Sequence, residues 1–170
     1  MNKLLVFPLL VSASLASAVT MPTSTMLSRT DVTFVSKAAM GNNFELKAAQ
    51  LALSMAKSAQ VRTYAQKMIA DHTKLGADVK AAVMSADPAM KLPAGVSSAQ
   101  QQMLDQLKAA GSSFEQMYKT QMVTSHDQTY QLFDKYSRKS SANPGLKKVI
   151  AGALPTVKMH WDMAKALPAM

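Results

Sequence analysis

Residues 61–82, VRTYAQKMIADHTKLGADVKAA, carry the pattern that decides the fold. Val61, Ala65, Met68, His72, Leu75, Val79 and Ala82 recur at alternating steps of four and three, the spacing of one face of an α-helix packed against neighbours. Ser58 is placed to cap this helix, and Asp87-Pro88 marks its end. One position on the seam is not apolar: His72.

The same period extends on both sides. Phe34, Ala38, Gly41, Glu45, Ala48, Ala52 and Met55 predict a helix over 31–57, with the bulkier set Phe44, Ala48, Leu51 and Met55 competing for its centre, which would leave Glu45 on the flank. After 86, Pro88, Pro93 and Gly95 predict a loop to Val96, then a short helix from about Ser97 to Ala110. Past Gly111 a helix over 112–139 turns Met122, His126, Thr129 and Phe133 inward, although Tyr118, Tyr130 and Leu132 compete for that face. Asn143-Pro144-Gly145 has turn chemistry, and Leu146, Ile150, Ala153, Val157, His160 and Ala164 form the last seam. Pro155 lies within it and should kink that helix or start a new one, having no amide hydrogen for the carbonyl four residues earlier. The expected fold is all-α: an antiparallel four-helix bundle with an extra short helix between its second and third long helices.

Counting along these helices brings four polar residues to one level. An α-helix rises about 1.5 Å per residue, and antiparallel neighbours share their ends. Glu45 lies 13 residues before Ser58 and His72 14 after it. His72 lies 14 before Ala86 and His126 14 after Ser112; His126 lies 14 before Ser140 and His160 15 after Gly145. Glu45, His72, His126 and His160 should therefore lie near one plane, to within about one turn of 5 Å.

Three imidazoles and one carboxylate suit a first-row transition ion such as zinc, iron, manganese or copper, whereas magnesium and calcium want more oxygen ligands. A carboxylate-bridged di-iron centre needs a glutamate from each of two helices and Glu-x-x-His from each of the others. The chain has only Glu45 and Glu115 and no Glu-x-x-His, so a mononuclear site is expected. Against the metal stands a buried polar layer in which Glu45 accepts hydrogen bonds from the histidines and fixes register. Met68, Met122 and Met163 flank the histidines at helical spacing; thioethers favour Cu(I), while core filling by a flexible side chain is the plainer reading. Asp71, Asp127 and Asp162 adjoin the histidines, but successive helical positions diverge by about 100°, so these acids belong to the surface or to other helices rather than to their own neighbour. Trp161 reads as a packing anchor. No Gly-x-Ser-x-Gly elbow and no cysteine is present, and no catalytic residue is assigned.

Lys3 followed by the apolar run Leu4 to Leu15 and Ala16-Ser17-Ala18 predicts a cleaved signal over 1–18, with a flexible stretch over 19–29 and the bundle over 30–168. The mature protein is expected to be soluble, without a spanning segment, lipobox or disulfide. Lys3 is the only charge in the leader, so the formal charge of +9 becomes +8 after cleavage. That balance makes an anionic envelope surface a candidate partner. Lys135, Arg138, Lys139, Lys147 and Lys148 form the only local concentration of charge, which also reads as solvation around one corner. A specific nucleic-acid partner is not expected, because no phosphate loop or aromatic-basic platform appears.

The stretches FVSKAAMGNNFELKAAQLA (34–52), VRTYAQKMIADHTK (61–74), GSSFEQMYKTQMVTSHDQTYQLF (111–133) and LPTVKMHWDMAKAL (154–167) resemble domain-of-unknown-function family 4142, exported bacterial proteins often labelled outer membrane proteins. The more specific elements are Asp71-His72-Thr73, the Phe114-to-Tyr118 spacing, the His126 helix and Leu154-Pro155 before His160. The resemblance implies a ferritin-like bundle and bacterial export, and no established reaction. The alternating strands of a barrel are absent, so a periplasmic or secreted location, peripheral to the outer membrane, is expected. The resulting functional expectation is an exported bundle binding a transition metal in its core, in metal homeostasis or envelope stress. The alternative is a non-catalytic envelope interaction or structural module with a buried polar layer.

Overall fold

The structure, a computed structural model, describes residues 26–168. The expected signal over 1–18, and residues 19–25 of the expected flexible stretch, lie outside the described residues. Five α-helices follow in order: α1 Arg29–Met55, α2 Ala59–Ala86, α3 Ser98–Ala109, α4 Phe114–Ser137 and α5 Pro144–Ala166. No strand occurs among the described residues, so the chain is all-α there.

Local chemistry sets the helix ends. Ser28 and Asp31 form a reciprocal capping box that starts α1, and Ser97 with Gln100 does the same for α3. Arg29, expected at the end of the flexible stretch, is thus the first residue of α1. Ser58 accepts from the Val61 amide at the start of α2. Asn143 caps α5 and Pro144 occupies its first turn, so the turn chemistry of Asn143-Pro144-Gly145 starts the helix. Gly111, at φ 53°, enters a short 3-10 turn, Gly111–Ser113, between α3 and α4. Pro155 does not begin a new helix: α5 continues through it, and Ala151, whose carbonyl lacks the proline amide, is on the exposed side where water can serve it.

The four long helices close a ring, α1 packing on α2 and α4, and α5 packing on the same two; α3 lies against α1 and α4. Helices α2 and α4 therefore face one another diagonally. Their apolar residues form two separate clusters. One gathers Phe44 and Ala48 of α1, Tyr64 and Met68 of α2, Leu104 and Leu107 of α3, Tyr118 and Met122 of α4, and Ala164 of α5. The other gathers Phe34, Val79, Val83, Phe133, Tyr136, Leu146, Ile150 and Val157. Each fully buried large side chain in these clusters contributes about 1.5–3 kcal/mol of burial free energy. On each of the four long helices, Glu45, His72, His126 or His160 lies where one cluster gives way to the other.

Two buried carboxylates tie the ends of the ring. Glu115 of α4 reaches the α1–α2 junction, where its Oε1 accepts the amides of Lys57 at 2.6 Å and Ser58 at 2.7 Å, serving donors that the start of α2 leaves free. At the opposite end Asp31 of α1 accepts the Tyr136 hydroxyl at 2.6 Å and the Asn143 amide at 3.1 Å, joining α1 to the α4–α5 corner. The ring heights that place the central residues are thereby fixed from both ends.

Candidate metal centre

Glu45, His72, His126 and His160 converge in the polar layer, each no more than 2 % exposed. Helix α1 places the Glu45 carboxylate between two imidazoles, 3.2 Å from His72 Nδ1 and 3.7 Å from His126 Nδ1. The Ser125 hydroxyl donates to its Oε1 at 2.7 Å. Burial would raise the Glu45 pKa, but His126, His72 and the Ser125 hydrogen bond together hold it below the ordinary carboxylate value.

Each histidine has one ring nitrogen occupied by an oxygen. His126 Nδ1 lies 2.8 Å from the Met122 carbonyl, which only accepts, so that nitrogen bears the hydrogen. His72 Nδ1 faces Glu45 and, at 3.1 Å, the Asn42 side-chain oxygen, and it too donates. His160 Nε2 donates to Asp71 at 2.8 Å, and Lys67 holds the same carboxylate at 3.1 Å. What remains is His72 Nε2, His126 Nε2 and His160 Nδ1. A ligating nitrogen of each of the three histidines lies within 4.8 Å of the others. The His126 Nε2 is buried and has no hydrogen-bond partner.

The electrostatics keep these nitrogens unprotonated on two of the three rings. Burial lowers the His72 pKa despite the opposing pull of Glu45. Burial, with His72 as neighbour, pushes His160 down to about 4, although Asp71 works against it. A neutral imidazole whose N–H is held by a carboxylate or carbonyl is the form that ligates metals, its tautomer and ring orientation fixed from behind. Two nitrogens bound tetrahedrally to zinc at about 2.05 Å stand about 3.3 Å apart. His72 Nε2 and His160 Nδ1 are 3.3 Å apart.

All four residues expected at one level thus meet, in different relations. The three histidines form a group able to hold an ion, while Glu45, with Ser125, sits against the Nδ1 sides of His72 and His126. Asp71 does not serve His72, its neighbour in sequence, and instead reaches across to His160 on α5. Asp127 and Asp162 engage Gln131, Lys158 and Lys165 on the exposed faces of their own helices. Sequence reasoning missed Asn42 and Ser125. Gly76 explains part of the Asn42 placement, since a Cβ there would lie 3.0 Å from the Asn42 Nδ2. A signal was present elsewhere: Tyr64-x3-Met68-x3-His72 on α2 repeats as Tyr118-x3-Met122-x3-His126 on α4. Across the diagonal the Tyr64 and Tyr118 rings lie 6.1 Å apart and the His72 and His126 rings 5.7 Å apart, with Met68 and Met122 buried in the same apolar cluster as the tyrosines. Burial, reinforced for both by Glu45, raises the two tyrosine pKa values, so the phenols stay neutral.

Two clefts lead from the surface to this layer. One, about 350 Å³, opens between α2 and α5 and is lined by Asp71, His72, Asp78, Thr156 and His160 among others. The other, about 300 Å³, opens along α1 and α2 past Asn42, Glu45 and His72. The layer is therefore buried yet within reach of a small ion.

A family model described as Domain of unknown function (DUF4142) matches residues 16–167, nearly the whole chain. No curated protein and no solved structure matches it significantly.

Proposed function

The chain belongs to the DUF4142 family, and we propose that it is an exported, ferritin-like four-helix bundle that binds one transition metal ion in its core. His72, His126 and His160 are the ligands, and Glu45, Asp71 and the Met122 carbonyl orient them by holding their other nitrogens. The observation that carries this reading is the convergence of three imidazoles whose outward N–H groups are already committed to oxygen acceptors. Ionised Glu45 and Asp71 supply two negative charges behind three neutral ligands, which balances a divalent cation. Zinc, copper(I), iron or manganese fits the nitrogen donors. Buried Met68 and Met122, one turn from His72 and His126, belong to the apolar cluster and fill the core there. The role we attach to this reading is metal homeostasis or envelope stress protection, as a periplasmic or secreted protein.

A second reading is a non-catalytic interaction or structural module whose polar layer sets helix register. It draws on the same 3.3 Å contact, which becomes a hydrogen bond if either His72 or His160 is protonated there. Thermal unfolding of the metal-free chain against a panel of ions separates the two. Metal binding raises the melting temperature for one or a few ions, and His72→Ala and His160→Ala abolish that rise. A register layer predicts lower stability in both variants and no ion effect in any.

A further inference from the structure

The sequence concentrates charge at Lys135, Arg138, Lys139, Lys147 and Lys148, but the fold divides this set. Arg138 pairs with Asp134, and Lys147 donates to the Lys139 carbonyl. Lys135 and Lys139 turn instead toward the first turns of α1, where Arg29 and Lys37 face them across a groove of about 440 Å³. Arg29 and Lys37 are eight residues apart, so the groove runs about 12 Å along the helix. No acidic residue lines it. None of these four cations has an ion-pair partner among the described residues, as is true also of Lys47, Lys80 and Lys91 on other faces. Between the cations lie Thr30, Thr33 and Leu132, over the buried rings of Phe34 and Tyr136. Asp31, in the first turn of α1, is buried and already occupied by Tyr136, Asn143 and Ser28, and Asp134 is paired with Arg138.

We infer that this α1–α4 groove docks the protein on an anionic phospholipid surface, with Arg29, Lys37, Lys135 and Lys139 meeting the phosphates. Four exposed cations without ion-pair partners, with no acid in the lining, complement the phosphates of an anionic headgroup layer. A nucleic acid is the poorer fit, because the Phe34 and Tyr136 rings stack on each other at 3.6 Å and are buried, leaving no free face for a base. The inference is independent of whether a metal binds.

The test is co-sedimentation of the full chain with vesicles of equimolar phosphatidylglycerol and phosphatidylcholine, against vesicles of phosphatidylcholine alone. The variant R29Q/K37Q/K135Q/K139Q should bind the anionic vesicles at least about tenfold more weakly at low salt. The variant K47Q/K80Q/K91Q/K108Q removes equal charge from other faces and should lose less than about threefold. Circular dichroism and melting temperature establish that both remain folded. Equal losses in the two variants would assign the attraction to net charge and overturn the groove. So would wild-type binding that does not depend on phosphatidylglycerol, or capture by heparin or duplex DNA with none by anionic vesicles.

Discussion

Nδ1 of His160 and Nε2 of His72 face each other at 3.3 Å, and each ring has its hydrogen committed elsewhere, His160 to Asp71 and His72 to Glu45. Two lone pairs at that separation repel unless a cation lies between them. A proton or a metal ion meets the need. Burial lowers the proton affinity of both rings, which favours the metal near neutral pH.

If the orienting carboxylates matter, Asp71→Asn should weaken metal affinity without removing a ligand. Loss of such a partner behind a ligating histidine typically costs about 10–100-fold in affinity. His160→Ala should cost more, because it leaves two nitrogens. Competition titrations with a chromogenic chelator would rank the variants, and an Asp71→Asn affinity equal to wild type would show that His160 needs no partner.

The metal-free protein should lose stability in mild acid. His72 and His160 have pKa values below the ordinary 6.5 in the fold, His160 at about 4. The unfolded chain therefore binds more protons between about pH 4 and 6.5, and stability falls as pH drops through that window. The loss should be on the order of 2 kcal/mol, with more below pH 4 as Glu45, Asp31 and Asp71, whose folded pKa values are also lowered, take up protons. Urea midpoints at pH 7 and 4.5 measure it, and His160→Gln should flatten the slope. A stability independent of pH across this range would mean the histidines are not held neutral.

Glu115 should matter to folding and not to metal. Glu115→Ala strips the acceptor from the Lys57 and Ser58 amides at the start of α2, at a cost of about 1–3 kcal/mol. Chemical denaturation should show the shift while ion affinity per folded molecule stays constant. A change in affinity instead would tie this junction to the site.

Gly76→Ala offers a finer probe. The added Cβ would meet Asn42 at 3.0 Å and displace the side chain that contacts His72 Nδ1. Alanine gains up to about 1 kcal/mol of helix propensity, which offsets part of the crowding. Stability should therefore change by less than about 1 kcal/mol while metal affinity falls severalfold. Unchanged affinity would make Asn42 a bystander.

Much of this was legible before the structure. Helix-end signals at Ser58 and Pro88, and the four-three steps around His72, placed α2 closely, and counting from the junctions was enough to bring Glu45, His72, His126 and His160 together. The division of labour among them was not legible, because it depends on helix rotation rather than height. Nothing local to Asp71 says that it reaches His160, 89 positions away, or that Ser125 reaches Glu45. Helix α1 begins at Arg29 rather than near 31, set by the capping box of Ser28 and Asp31, which sits inside a Ser/Thr-rich run that reads as irregular. Of the two outcomes Pro155 allows, a new helix does not occur, since a proline on the exposed side of a packed helix can leave its carbonyl to water.

Metal content decides the central claim. Untagged protein exported by a living cell should carry close to one equivalent of a single transition metal by elemental mass spectrometry, and the H72A/H126A/H160A variant should carry none. Equal metal content in wild type and triple variant, or a wild type that stays empty after dialysis against zinc, copper, iron and manganese, would contradict it.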